Sequence, residues 1–149
     1  MYKFLFHSIS VSFLVSFIMG CAGPGTYIHE SDISLTESRK ALVKLYGEPR
    51  SISQNGREFL TNYMDKKGRI LESVKKAKER RYAHIKILGE RRPYEILVTA
   101  IVQVQSGPGV YETLDEHDEA LSNQLAVEIK KELLKSLENR NIIDDFNAF

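Results

Sequence analysis

The sequence predicts one α+β domain in which two helices cover an antiparallel sheet of about four strands. Three features carry this prediction: a capped helical segment at 35–46, alternating segments between 58 and 105, and a long segment at 115–139 with one apolar side. The order α-β-β-β-β-α is typical of a two-layer sandwich. A chain of 149 residues has room for one such domain and not for two sizeable ones.

The first element is an amphipathic helix at 35–46. Ser34 and Glu37 have the spacing of a capping box, in which Ser34 is the N-cap and Glu37 is the third helical residue. Gly47 and Pro49 follow, and glycine followed by proline is typical of a helix end. The helix is therefore expected to begin after Ser34, to end at residue 46 and to pack through its leucines.

Alternation of apolar and polar residues predicts strands at 58–64, 69–74, 82–88 and 94–105. A turn is expected at 65–68, where Asp-Lys-Lys-Gly ends in a glycine that tolerates positive φ. The last strand has one apolar and one polar side, so one face of the sheet is expected to meet the helices and the other water. The residues expected to share a side are Phe59, Thr61 and Tyr63 in the first strand, and Ile96, Val98, Ala100, Val102 and Val104 in the last.

The segment at 115–139 predicts the longest helix, whose apolar side is formed by Leu125, Ala126, Ile129, Leu133 and Leu137. Its start is acidic, with Asp115, Glu116, Asp118 and Glu119. Such a cluster suits calcium binding or general acid chemistry, but negative charge in a first turn also complements the helix macrodipole. The ligand spacing and central glycine of an EF-hand loop are absent, so helix capping is the favoured interpretation.

Residues 1–20 are predicted to be a cleaved signal peptide. They contain four of the seven Phe and one charged side chain, Lys3. The apolar run at 4–19 is interrupted by polar residues, and it is shorter than the about 20 apolar residues that a membrane-spanning helix needs. It therefore suits a cleavable signal. The run ends in Ile18-Met19-Gly20-Cys21, which resembles the lipobox of bacterial lipoproteins.

This resemblance implies that Cys21 receives a thioether-linked lipid, that the chain is cleaved before it, and that the new amine is acylated. Several acyl chains make a lasting membrane anchor, whereas one chain holds a protein only marginally. Residues 22 and 23 are not the Asp associated with inner-membrane retention, so the resemblance implies the outer membrane, facing the periplasm. Residues 21–34 are then expected to be a lipidated, flexible tether, and 35–149 the folded domain. An uncleaved anchor with an unmodified Cys21 and ordinary secretion are the alternatives.

Charge is unevenly distributed in a chain that is nearly neutral overall. Residues 39–92 carry 16 basic and 6 acidic side chains, whereas residues 95–149 carry 4 and 11. The densest basic group is a candidate patch of Lys75, Lys76, Lys78, Arg80 and Arg81. This patch suits anionic lipid, lipopolysaccharide phosphate or an acidic protein, and the alternative is a solvated rim balanced by the acidic helix. The neutral total disfavours nucleic acid as a partner.

No pattern typical of catalysis or of a cofactor occurs in the sequence. His29, His84 and His117 lie apart, and HExxH, Cys/His, Gly-x-Ser-x-Gly and dinucleotide-binding patterns are absent. We therefore expect no enzyme activity, no metal and no cofactor, and the sequence identifies no small-molecule substrate. A pocket with His84 or His117 beside a carboxylate would favour an enzyme instead. Phe146 and Phe149 are expected to cap the core, with a partner-binding tail as the alternative.

The stretch 35–74 is similar to the SmpA/OmlA (BamE-like) outer-membrane lipoproteins, which support β-barrel assembly. The similarity lies in a helix closed by Leu45-Tyr46-Gly47-Glu48-Pro49 and a strand leading to Asp65-Lys66-Lys67-Gly68. That family places two helices before its strands, whereas one is predicted here, so no functional residue is transferred. The two resemblances predict a non-catalytic accessory or scaffold lipoprotein that binds an envelope protein. The alternative is a binder of anionic lipid or lipopolysaccharide that uses the candidate patch.

Overall fold

The computed structural model describes residues 24–138. The predicted signal peptide at 1–20, Cys21, Phe146 and Phe149 lie outside the described residues. Within them the chain is α+β, with a six-stranded antiparallel sheet and two helices. This confirms the predicted α+β class, but the sheet has six strands and not about four. The strands are β1 Thr26–Ser31, β2 Ser51–Ile52, β3 Glu58–Leu60, β4 Glu79–Leu88, β5 Tyr94–Gly107 and β6 Val110–His117, and the helices are α1 Leu35–Tyr46 and α2 Glu119–Glu138.

The sheet is built on the long hairpin of β4 and β5. In spatial order β2, β3, β4 and β5 are neighbours, and β1 and β6 both pair with β5. β1 pairs with residues 94–98 of β5, and β6 pairs with residues 101–107. Because β4 occupies the opposite edge of β5 along both stretches, β1 and β6 lie end to end on the same edge.

Both helices pack on one face of the sheet, and the core lies between them and that face. Ala83 pairs with Ala100 and Ile85 with Val98, and all four side chains are fully buried. They share one apolar cluster with the buried stripe of α2 and with Ala41, Leu42 and Tyr46 of α1. The stripe predicted for α2 is confirmed at Leu125, Ala126, Ile129 and Leu133.

The opposite face of the sheet, called here the open face, is not covered by either helix. It carries the alternate positions of the same strands, among them Tyr82 and His84 on β4 and Leu97 and Thr99 on β5. In this part the inner positions of β4 and β5 are buried, and the outer positions are half-buried except for Thr99, which is 8% exposed. The predicted division of the sheet into one packed and one wetter face is thus observed.

Helix α1 begins and ends where it was predicted. Ser34 accepts a hydrogen bond from the Glu37 N–H, and the Glu37 carboxylate accepts one from the Ser34 N–H, so the capping box is complete. Gly47 closes the helix at φ 72°, and its N–H donates to the Val43 carbonyl.

The predicted hairpin of 58–64 and 69–74 is wrong in its second strand and too long in its first. β3 ends at Leu60, and 69–74 makes only an isolated bridge between Ile70 and Met64 before a 3-10 helix at Val74–Lys76. The Asp65 carboxylate accepts from the N–H of Lys67 and of Arg69, which stabilises a local turn rather than a ladder. The turn at 65–68 itself is observed. Because the strand breaks after Leu60, Tyr63 does not share the buried side of Phe59 and Thr61.

The tether prediction for 21–34 is wrong over residues 26–31, which form the edge strand β1. Thr26 pairs with Val98 and Ile28 with Ile96, and Ile28 is buried. A bulge follows Ile28, with Glu30 at φ 56°. The bulge and the polar residues after it disrupt the alternation by which a strand is recognised.

The predicted helix start at 115 is also wrong, because residues 110–117 form the unpredicted strand β6. Asp115 and Glu116 lie in that strand. Asp118 is the N-cap of α2, since its carboxylate accepts from the Leu121 N–H at 2.9 Å. Glu119 lies in the first turn. The capping interpretation therefore holds for two of the four acidic residues.

Candidate functional site

The structure divides the predicted basic patch between three environments. Lys75 and Lys76 lie in the 3-10 helix and Lys78 just before β4, and all three are exposed. Arg80 and Arg81 lie on β4, so their side chains point to opposite faces of the sheet. The five residues therefore do not form one continuous exposed surface.

Arg81 belongs to the interior. Its side chain is 7% exposed, and its guanidinium contacts Asp118 at 2.7 Å and Glu79 at 2.6 Å. Burial alone would raise the pKa of Asp118, but hydrogen bonds from the Leu121 N–H and from Arg81 outweigh it and hold that pKa below its ordinary value. Arg81 thus ties the end of β4 to the start of α2 and is not available to a ligand.

Arg80 lies on the open face between two tyrosines. Its guanidinium carbon is 3.8 Å from the centroid of the Tyr63 ring and 3.5 Å from that of Tyr111. Its Nε donates to Gln103 Oε1 at 2.9 Å. Tyr111 is held in turn, because its hydroxyl donates to the carbonyl of Val74 or Ala77, each at 2.8 Å. Stacking and a hydrogen bond therefore fix the plane of the Arg80 guanidinium.

Arg50 extends the same arrangement from the segment before β2. Its guanidinium carbon is 3.9 Å from the Tyr63 centroid and 4.7 Å from that of Tyr82, and its Nε donates to the Thr61 carbonyl. Two guanidinium groups cannot occupy the same face of one ring, so they flank Tyr63. We call this set the arginine–tyrosine row: Tyr82, Arg50, Tyr63, Arg80 and Tyr111.

The cations in and beside the row lack acidic partners among residues 24–138. The ion pairs of the described chain involve neither arginine of the row, and none reaches Lys75, Lys76 or Lys78. The nearby carboxylate of Glu79 is occupied by Arg81 and Lys66. This end of the open face therefore carries a concentrated positive charge that no carboxylate within residues 24–138 neutralises.

Two histidines of the open face contact carboxylates. His84 Nε2 lies 2.9 Å from Glu58, and His29 Nδ1 lies 3.1 Å from Glu95. A shallow depression of about 490 Å³ adjoins Glu58, but His84 does not line it. No group of three or more potential metal ligands occurs in the described part of the chain. His117 ends β6, opposite Ile101.

β6 is an edge strand that is exposed along most of its length. Six of its eight residues are exposed, including Val110 and Leu114. One edge pairs with β5, and no strand within residues 24–138 pairs with the other. Its row of backbone N–H and C=O groups is therefore a template on which a further strand could pair.

The N-terminal end of the described chain lies against the open face. Thr99 Oγ1 donates to the Pro24 carbonyl at 2.8 Å. A Cβ placed on Gly25 would meet Thr99 Oγ1 at 2.5 Å and Leu97 Cδ1 at 2.8 Å, so only glycine fits. Both Leu97 and Thr99 are outward positions of β5. The chain therefore approaches β1 from the open face, within four residues of Cys21.

The arginine–tyrosine row was not found by sequence reasoning because its members come from four separate parts of the chain. A partial signal existed, since Tyr82 and Arg80 occupy the outward positions of an alternating strand. No family model, curated protein or solved structure matches this chain. Neither α1 nor α2, the two helices of the described part, is long and apolar enough to span a membrane.

Proposed function

We propose that this protein is a lipoprotein anchored through Cys21 in the outer membrane, facing the periplasm, and that its domain is a non-catalytic accessory or scaffold that binds another envelope protein. The anchor is inferred from the lipobox-like Ile18-Met19-Gly20-Cys21. The binding role is inferred from one structural observation, the outer edge of β6, with which no strand within residues 24–138 pairs.

The β6 edge suits a partner that adds a strand. Strand addition uses backbone hydrogen bonds for affinity and alternate side chains for specificity. The exposed side chains of β6 include Glu112, Asp115 and Glu116, so the added strand is expected to be basic or polar. These acidic residues also oppose pairing of β6 with β6 of a second copy, because like charges would face each other.

A photo-crosslinking amino acid at Thr113 tests this role in intact cells. Thr113 is exposed on β6, and the same probe at the exposed Lys131 of α2 is the matched control. We expect one defined envelope protein to be captured from position 113 and not from 131. Capture of the same proteins from both positions, or of none from 113, would contradict partner binding at this edge.

The anchor is tested separately by Cys21→Ser. The variant is expected to remain uncleaved at the signal and to lose the lipid-dependent shift in detergent partitioning. A variant that is still processed and still membrane-bound at high salt would contradict lipidation at Cys21.

A second candidate function is binding of anionic lipid or lipopolysaccharide through the basic residues at 75–80, since Arg81 of the predicted patch is buried. One observation favours it: Lys75, Lys76 and Lys78 are exposed and have no acidic partner among the described residues. Binding to anionic vesicles should weaken as salt rises, because exposed charges are screened within about 10 Å at 0.1 M. Residues 21–149 carrying Cys21→Ser, produced without the segment 1–20, remove both the acyl anchor and the apolar signal from this assay. Binding that does not change with salt would exclude this candidate.

A further inference from the structure

We infer that the open face of the sheet is a phospholipid-binding surface that lies against the leaflet holding the anchor, with the guanidinium groups of Arg50 and Arg80 on headgroup phosphates. The orientation rests on the proposed anchoring at Cys21. The binding chemistry rests on the arginine–tyrosine row alone. This inference makes the second candidate function more specific. It assigns the main lipid contacts to the open face of the sheet and not to the segment 75–81.

The path of the chain brings this face toward the membrane. Gly25 is fitted onto Leu97 and Thr99 of the open face, and Thr99 bonds the Pro24 carbonyl. The four residues from 22 to 25 extend to about 13 Å at most. Since β1 begins at Thr26, only four residues separate it from Cys21, and this linker is too short to let the domain rotate its open face away from the membrane. An anchor at Cys21 would therefore hold the open face near the headgroups, with the helices on the far side.

The row presents two guanidinium groups whose terminal nitrogens can donate hydrogen bonds to phosphate. Each uses its Nε internally, Arg50 on the Thr61 carbonyl and Arg80 on Gln103. The terminal nitrogens have no hydrogen-bond partner among residues 24–138, so each retains two nitrogens suited to bidentate contact with phosphate oxygens. Stacking on Tyr63 orients the guanidinium planes of Arg50 and Arg80 before a ligand binds, which lowers the entropic cost of binding.

The surroundings of the row also fit a headgroup layer. Lys75, Lys76 and Lys78 add positive charge beside Tyr111 of the row, and they have no acidic partner within the described part of the chain. Tyrosine rings are typical of the membrane interface, where an apolar ring and a polar hydroxyl each find a suitable medium. On β3, β4 and β5 the register places two carboxylates on this face, Glu58 and Glu95, and they contact a histidine at 2.9 and 3.1 Å, respectively. The positive charge is spread over a face of the sheet and is not confined to a groove. Charge complementarity therefore favours an anionic lipid surface over an acidic peptide.

Vesicle binding by residues 21–149 carrying Cys21→Ser, produced without the apolar segment 1–20 that this substitution would leave uncleaved, tests the chemistry without the acyl anchor. The probe is phosphatidylethanolamine vesicles with and without cardiolipin, compared by co-sedimentation. Each basic side chain near an anionic surface contributes about fivefold to binding, so Arg50→Gln with Arg80→Gln should weaken cardiolipin-dependent binding about thirtyfold. Lys40→Gln with Lys130→Gln removes the same charge from exposed positions of the helices, and should change binding less than about threefold.

Two further variants separate binding from folding. Arg50→Lys with Arg80→Lys keeps the charge but loses the planar fork, and an intermediate loss of binding is expected. Thermal unfolding of every variant shows whether the row serves only to stabilise the fold. Equal losses in the sheet and helix variants, or no loss in Arg50→Gln with Arg80→Gln, would overturn the inference. A lower unfolding temperature with unchanged lipid binding would also overturn it, because the row would then be purely structural.

Orientation is measured on the lipidated protein with its row intact, so this arm does not depend on the folding of any row variant. A fluorophore at Gln105→Cys on the open face is compared with one at Lys131→Cys on α2, in nanodiscs whose headgroups carry a nitroxide quencher. Strong quenching at 105 and weak quenching at 131 are expected. The reverse pattern would overturn the orientation. Absence of lipid on Cys21 would instead contradict the proposed anchoring, and the vesicle assay would still decide the chemistry.

Discussion

Replacement of Asp118 by Ala is expected to lower the free energy of unfolding by about 3 kcal/mol at neutral pH. Loss of an N-cap that accepts from the Leu121 N–H costs about 1 kcal/mol. Loss of the hydrogen bond to Arg81 at 2.7 Å costs about 2 kcal/mol, since that guanidinium is 7% exposed and, among the described residues, would then have only the Glu79 carboxylate as an acidic partner. Asp118 is itself 21% exposed, so solvent screening holds the total below that of a fully buried pair. For a domain of this size the loss corresponds to a fall of about 10 °C in melting temperature.

The pH dependence of this loss is a second test of the same contacts. The pKa of Asp118 is lowered in the folded state, so its contribution is fully present above the pKa of the unfolded chain. That contribution disappears as the pH falls through the lower, folded-state pKa. The difference between wild type and Asp118→Ala should therefore shrink from neutral pH to about pH 3.

Urea unfolding followed by circular dichroism at both pH values measures this difference. Asp115→Ala is the matched control, because that residue is exposed on β6 and its loss should change the unfolding free energy by less than about 0.5 kcal/mol. The reasoning would be refuted if Asp118→Ala cost less than about 1 kcal/mol, or if its cost did not change with pH.

The remaining predictions concern the helices and the N-terminal strand. Ser34→Ala should lower the free energy of unfolding by about 1 kcal/mol, because it opens a complete capping box; a cost near zero in urea would contradict that role. Leu125→Ala in the core should lower the free energy of unfolding by about 2–5 kcal/mol. Val127→Ala on the same helix, at a site 68% exposed, should lower it by less than about 0.5 kcal/mol, and equal losses would contradict the observed burial. Gly25→Ala should expose the amides of β1 to hydrogen exchange, since its Cβ would clash with the sheet; Gly109→Ala, also at positive φ but without a neighbour within 4 Å, should leave β1 protected.

Local signals in the sequence predicted helix α1 and the β4–β5 hairpin well. The bounds of α1 follow from Ser34, Glu37 and Gly47, whose capping contacts lie within the helix ends themselves. The alternation along β4 and β5 is strong because one side of each is buried against the helices. Such elements are specified by interactions close in sequence and by one continuous apolar layer.

The edge strands could not be predicted, because their burial does not alternate. β6 is exposed on both sides along most of its length, and its acidic residues resemble the first turn of the helix that follows. β1 contains a bulge and a residue at positive φ, and it is recognisable only through its pairing with β5. Pairing between segments some 70 residues apart leaves no local periodicity in the sequence.

The candidate site was predictable only in part for the same reason. The basic stretch at 75–81 was visible, but its division between the core and the open face depends on the register of β4. Arg50 and Tyr63 come to Arg80 only through tertiary structure. The row therefore illustrates a site whose residues are ordinary in sequence and become distinctive through stacking in the folded domain.

Mass spectrometry of the N terminus of the protein recovered from bacterial membranes tests the proposed anchoring most directly. The predicted result is a chain that begins at Cys21, with a thioether-linked diacylglyceryl group on its sulfur and an acylated amine. A chain that still begins at Met1, or one that begins at another residue with an unmodified Cys21, would contradict the lipoprotein function proposed here.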